Sequence, residues 1–172
     1  MKNVVFLSVY ICLSSMLVAC EKAPALDNYS GLVNKFVGTG GDGRVAPVAS
    51  VPFGMMQLGA DTRSFGSGYH YNDTTILGFS HLHKSGGGCA DFLDILFMPL
   101  PQRTAVDEVH ELPSQHFRSS FSHEHEEAVP GHYQVDLYGG DVSVELTASR
   151  RCGIQRYTYQ EAGRMPVLID LE

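Results

Sequence analysis

Apolar residues along this chain come in short runs, and the clearest of them alternate with polar ones. From His132 to Tyr138 the order is HYQVDLY, and Val142 to Thr147 repeats the alternation as VSVELT. A period of two sends successive side chains to opposite faces, so each segment predicts a half-buried strand. Gly139, Gly140 and Asp141 between them predict a hairpin turn. Cys152–Tyr159 predicts a third strand, and Pro166–Leu171 starts a fourth. Upstream, Phe53–Leu58, Thr75–Ser80 and Phe92–Met98 are apolar runs of strand length bounded by Gly or Pro. Helix signals are confined to Tyr29–Val37, a turn or two with Ser30 as cap, and Gly38–Gly43 breaks any regular element. Short strands, regularly spaced turns and almost no helix predict an all-β fold, an antiparallel β-sandwich.

The first 19 residues depart from this pattern. Lys2 gives a positive start, Val4–Val18 is apolar apart from small polar residues, and Leu17-Val-Ala-Cys20 reads as a lipobox. The run is too short and serine-rich for a membrane span, which predicts a lipoprotein signal peptide over 1–19 with Cys20 as the lipidated first residue. Lipid on Cys20 would tether an otherwise water-exposed domain to a bacterial cell envelope. Residues 20–28 read as a flexible tether and 29–172 as one domain. At the other end, Val167–Glu172 halts inside a strand pattern, so the sandwich is expected to be cut short there.

Without Lys2 the chain carries 11 basic and 19 acidic residues, a net charge of −8. No basic stripe exists to neutralise phosphates, which excludes nucleic acid as a partner. Of four cysteines, Cys12 leaves with the leader and Cys20 is lipidated. Cys89 and Cys152 remain, and export would permit a bridge between them. GTGGDG at 38–43 lacks the Lys-Ser/Thr of a phosphate loop.

The densest chemistry lies between Gly68 and Asp94, where His70, His81 and His83, Tyr69 and Tyr71, and Asp73, Asp91 and Asp94 crowd a triple glycine. Short polar side chains on closely approachable backbone suit a pocket for a polyhydroxylated ligand. His81-Leu-His83 and His123-Glu-His125 both have a metal-ligand spacing, yet no third ligand stands at a fixed distance, so no metal site is assigned. Carboxylates for acid–base work are plentiful (Asp61, Asp73, Asp91, Asp94, Glu124, Glu126, Glu127). Asp91 and Asp94 also fit turn structure, and Glu124–Glu127 fits a solvated acidic loop.

Read together, VNKFVGTGG at 33–41, VPFGM at 51–55, DTR at 61–63, the 68–94 stretch, FSHEHE at 121–126 and PGHY at 130–133 resemble the N-terminal domain of glycoside hydrolase family 92. The resemblance runs from about Tyr29 to Glu172 in the family's order. It implies a β-sandwich leading into an (α/α)6 helical domain absent from this sequence. It also implies an exported, calcium-dependent exo-α-mannosidase acting with inversion on a mannose-containing glycan. Acid, base and most calcium ligands would lie on the helical domain, so no residue here is assigned as catalytic and the chain is expected to be inactive alone.

The same resemblance places Asp61, Arg63, Tyr69, His70, His81, His83 and Ser85 along the border of the sugar pocket. Physically, Arg63 can clamp Asp61 or sugar hydroxyls, Tyr69 can stack on a ring face, and His70 and His81 can donate to hydroxyls. An Arg63–Asp61 structural pair with core tyrosines is the plainer alternative. The chain departs from the family between Arg63 and Gly68, where a longer loop with tryptophan is usual. Only Ser64–Ser67 stands here, with Phe65 as the available ring. The competing reading of the whole is a stand-alone carbohydrate-binding or structural surface lipoprotein module.

Overall fold

A computed structural model of the protein describes residues 29–87, 95–105 and 114–171. The expected leader and tether over 1–28, with Cys20, and also Cys89, Asp91 and Asp94, lie outside these residues. Among the described residues the strands are β1 (Gly59–Asp61), β2 (Thr75–Ile76), β3 (Gly78–Ser80), β4 (Leu96–Pro99), β5 (Ser119–Ser120), β6 (Glu126–Val129), β7 (His132–Leu137), β8 (Val142–Ala148), β9 (Gly153–Tyr159) and β10 (Val167–Asp170). They form one sheet ordered β1-β3-β4-β10, a second ordered β6-β7-β8-β9, and a short β2-β5 pair. Every pairing is antiparallel. No α-helix occurs among the described residues, so the fold is the all-β antiparallel sandwich that the sequence pattern predicts.

The alternating segments fold as the alternation dictates. Register sets Tyr133 opposite Leu146, Val135 opposite Val144 and Leu137 opposite Val142. All six side chains are fully buried, and they meet Leu58, Phe79, Ile76 and Met98 in a single core. Cross-strand apolar pairs on one face fix that register, because a slip of one residue would turn the whole set to solvent. The predicted turn is a 3₁₀ turn over Tyr138–Gly140, with Gly139 and Gly140 in the left-handed region.

The apolar runs upstream behave differently. Phe53–Leu58 is not a strand. Val51 to Gly54 closes a tight turn, with Gly54 N–H donating to Val51 O at 2.9 Å, and Pro52 has no N–H to give a ladder. Phe53 sits there at φ 57° and is 100 % exposed, and only Leu58 bridges back to Ala49. Thr75–Ser80 breaks in two, β2 pairing with β5 and β3 entering the first sheet. The break falls at Leu77, just before Gly78, where a Cβ would stand 2.6 Å from Leu96 Cγ and 2.9 Å from Phe97 O. The Tyr29–Val37 helix shrinks to a 3₁₀ turn over Tyr29–Leu32. Within Glu124–Glu127, Glu126 opens β6 with its side chain fully buried, which corrects the solvated acidic loop.

Candidate functional site

β1 delivers the first site residues. Asp61 is its last residue, and beyond it Thr62 and Arg63 both donate their N–H groups to Gly68 O, at 2.7 and 3.1 Å. These bonds close a small loop that carries Phe65 outward, 60 % exposed. The Arg63 guanidinium lies 5.1 Å over the Phe65 ring. It is held there by Asp73: Arg63 Nε donates to Oδ2 at 2.8 Å and Nη2 to Oδ1, while Thr62 Oγ1 donates to Oδ2 at 2.7 Å. Burial works against the Asp73 carboxylate, but the bonds from Arg63 and Thr62 outweigh it and hold its pKa below the ordinary value.

The facing lip is the glycine-rich segment 38–44. It folds tightly on itself because Gly43 approaches the Gly38 carbonyl so closely that a Cβ would be 2.2 Å from its oxygen. Arg44 follows at φ 52°, an unfavourable region for a residue with a side chain. Between the lips lies a cleft of about 220 Å³ lined by Gly41, Asp42, Arg44, Arg63, Phe65 and His70, with Tyr69 at its floor. An exposed aromatic face, a guanidinium fixed by two acceptors and an imidazole beside glycine backbone suit a hydroxylated ring, whose C–H face can lie on Phe65.

Two buried polar centres support this cleft. In the first, the His83 ring is held between Asp61 Oδ1 at 2.9 Å from Nε2 and Gln57 O at 2.8 Å from Nδ1. Both partners accept, so the ring donates from both nitrogens. Burial disfavours the charged ring, yet the Asp61 carboxylate and the backbone carbonyls raise the His83 pKa above its ordinary value. In the second, Glu126 accepts from the Tyr69 hydroxyl at 2.9 and 3.0 Å, from the Tyr133 hydroxyl at 2.7 Å and from His123 Nδ1 at 2.5 Å. Burial and the adjacent carboxylate push both phenol pKa values well up, so each tyrosine stays a donor.

The structure thus sorts the seven sequence-predicted residues. Arg63, Tyr69 and His70 reach the cleft, His70 through its own N–H bound to Thr62 Oγ1 at 3.0 Å. Asp61 and His83 lie behind it, wholly buried. Ser85 Oγ accepts from Ala46 N–H at 3.3 Å and anchors the segment after the glycine-rich lip. His81 packs edge-on to Phe97 and reaches Gln155, away from the cleft-lining residues. The expected Arg63–Asp61 pair does not form, because Asp73 on the same loop offers a bidentate grip while Asp61 points inward to His83. Tyr69 does not present a ring for stacking: it is buried and its hydroxyl is spent on Glu126.

Sequence reasoning missed Glu126, His123 and Tyr133 as one unit. The available signal was period two: Glu126 and Ala128 share a strand face, and Ala128 is buried. Among the described residues no group of three or more His, Cys, Asp or Glu is arranged to hold a metal. The buried Asp61 Oδ2 has no partner, but a single carboxylate oxygen is not the six-to-eight-oxygen cage that calcium takes, so these residues do not fit that ion. Asp42 is the cleft-lining carboxylate, and the two oxygens of Asp73 are committed to Arg63 and Thr62, so among the described residues this cleft assembles no acid–base pair for glycoside hydrolysis. Cys152 is a free, exposed thiol.

An antiparallel sandwich carrying a hydroxyl-suited cleft is the class of domain that the fold and site define. The family model for the glycosyl hydrolase family 92 N-terminal domain matches residues 32–172, and the chain belongs to that family. An α-mannosidase of this family from Bacteroides thetaiotaomicron, solved in complex with mannoimidazole, is 41 % identical and superposes with a TM-score of 0.71 over 83 % of this chain and 19 % of its own. An inverting mannosidase from the same organism, 23 % identical over 83 % of this chain and 19 % of its own, shares the fold with a TM-score of 0.65. A secreted glycosidase of Arthroderma benhamiae is 28 % identical over 150 residues, 81 % of this chain. The chain spans about a fifth of the length of these relatives.

Proposed function

We propose that this domain borders the sugar pocket of an exported exo-α-mannosidase that hydrolyses terminal mannose from glycans with inversion. The observation that carries this reading is the Arg63–Phe65–His70 cleft, set in a fold 41 % identical to an α-mannosidase that binds mannoimidazole. Within that scheme the domain contributes ligand-facing groups and excludes water from one side. The acid, the base and the calcium ligands come from the helical domain that the family resemblance implies. Residues 1–172 alone are therefore inactive, and Cys20 tethers the enzyme by lipid to the cell envelope.

The test is turnover of an aryl α-mannoside with calcium present. The 172-residue chain should give none. The same chain joined to or mixed with the helical domain should give turnover that a chelator abolishes. Hydrolysis by the short chain, or an active pair indifferent to the chelator, would overturn the proposal.

A further inference from the structure

Both lips of the cleft trace back to one buried carboxylate. Glu126 holds the floor through the Tyr69 hydroxyl and grips His123 through Nδ1. His123 in turn reaches the Tyr71 carbonyl with Nε2 at 2.6 Å and stacks on the Tyr71 ring, centroids 4.0 Å apart and planes 5° from parallel. Phe36 and Phe121 close edge-on against this stack. Tyr71 N–H then donates to Thr39 O at 3.0 Å, and Thr39, itself buried, leads into the opposite lip. A continuous path therefore runs from Glu126 through His123, Tyr71 and Thr39 to Gly41, Asp42 and Arg44.

We infer that Glu126 is the positioning residue of the cleft, fixing the Gly68–Asp73 wall and the glycine-rich lip at one spacing. Its two oxygens hold the Tyr69 hydroxyl, the Tyr133 hydroxyl and His123 Nδ1 together, three groups delivered by three separate segments. With Nδ1 bonded to that carboxyl group and Nε2 donating to a carbonyl, His123 cannot swivel without losing a bond. Among the described residues, Tyr69 and Tyr133 also feel Tyr71, Asp73 and Asp61, and Asp73 in turn is held by Arg63. Neither Glu126 nor His123 is among the cleft-lining residues, so their role is exercised through Tyr69, Tyr71 and Thr39. This assignment rests on the cleft being the sugar-facing surface, but its mechanical half does not.

The experiment uses the complete gene product and reads amide hydrogen exchange by mass spectrometry together with mannosidase kinetics. Glu126→Gln keeps the shape and removes the charge. It should speed exchange on the order of tenfold or more in peptides covering 38–45 and 68–73 together, while peptides of the β7–β8 hairpin keep their protection. His123→Gln should loosen Tyr71 and 38–45 but leave the Tyr69 hydroxyl on Glu126, and it serves as the test if the first variant does not fold. With an aryl α-mannoside, KM should rise about tenfold with kcat within about twofold, as expected when ligand positioning is lost evenly. Equal loosening everywhere, or no loosening at 38–45, would overturn the coupling. Loosened lips with unchanged KM would overturn the sugar-positioning half. A protein that hydrolyses no mannoside would sink the proposed function while the exchange pattern still decides the inference.

Discussion

The β7–β8 hairpin and the Asp61–Asp73 segment sit in one domain but are held by different physics. In the hairpin, six apolar side chains interdigitate in matched register, and the polar positions between them face outward. In the Asp61–Asp73 segment almost nothing is periodic. Its shape comes from two backbone bonds to Gly68, the Asp73 grip on Arg63 and the His83–Asp61 pair behind it. The hairpin is over-determined by area burial, whereas the site segment depends on individual hydrogen bonds, and at the buried His83–Asp61 pair a broken bond leaves a polar group stranded. A site built in this way has fixed donors and acceptors in place before any ligand arrives.

The sharpest way to break the comparison is Asp61→Ala. It leaves the His83 ring buried without its counter-charge, and removing one partner of such a pair costs about 3–5 kcal/mol. Because the His83 pKa is raised in the folded state, the stability from this pair is fully present below the ordinary value of 6.5 and is lost as pH rises through the raised value. Denaturant midpoints of the parent should therefore fall as pH rises above about 6.5 and through the raised value, and the variant should lack that particular decline. A parent whose midpoint is flat over that range would show that the pair is not an ion pair.

Leu146→Ala should cost about 3 kcal/mol, the loss expected for a leucine truncated in a closed core. Leu146 faces Tyr133 across the ladder and is fully buried, so the cost should show no such pH-linked component. Unfolding curves at two pH values would check both statements, and a strong pH dependence of the loss would blur the distinction drawn between the two regions.

This contrast also explains what could be read in advance. Tyr133, Val135 and Leu137 announce their burial by spacing alone, so the strands and the sandwich class were legible. Phe53 and Met55 are as apolar as any strand residue, yet Pro52 and the Val51–Gly54 turn expel them, a decision local periodicity does not record. For the cleft, residue type identified Arg63, Tyr69 and His70 but not their partners. Arg63 had Asp61 two positions away and chose Asp73 ten positions away, because β1 turns the Asp61 side chain inward. Glu126 was hidden for a related reason. Among neighbouring acids only its strand face marks it, and of its three partners at 69, 123 and 133 only His123 is local, while the fold alone brings in the two tyrosines.

The smallest effect is expected from a third kind of polar contact, on the outer face of the second sheet. Glu145 accepts from Arg156 Nε and Nη2 across the β8–β9 ladder, with His132 Nε2 a further 3.7 Å away. Geometrically it rivals the Arg63–Asp73 grip. The Arg156 bond outweighs a slight desolvation and lowers the Glu145 pKa, but the pair stands in water, where solvent and salt screen the attraction and ordering two long side chains offsets it. Arg156→Gln should return the Glu145 carboxyl titration towards its ordinary value, read by carbon-detected NMR, without moving the unfolding midpoint beyond measurement error at about 0.15 M salt. A clear drop in the midpoint would mean that the outer face is stabilised by its charges as the site segment is, and the division between a packed half and a hydrogen-bonded half would have to be redrawn.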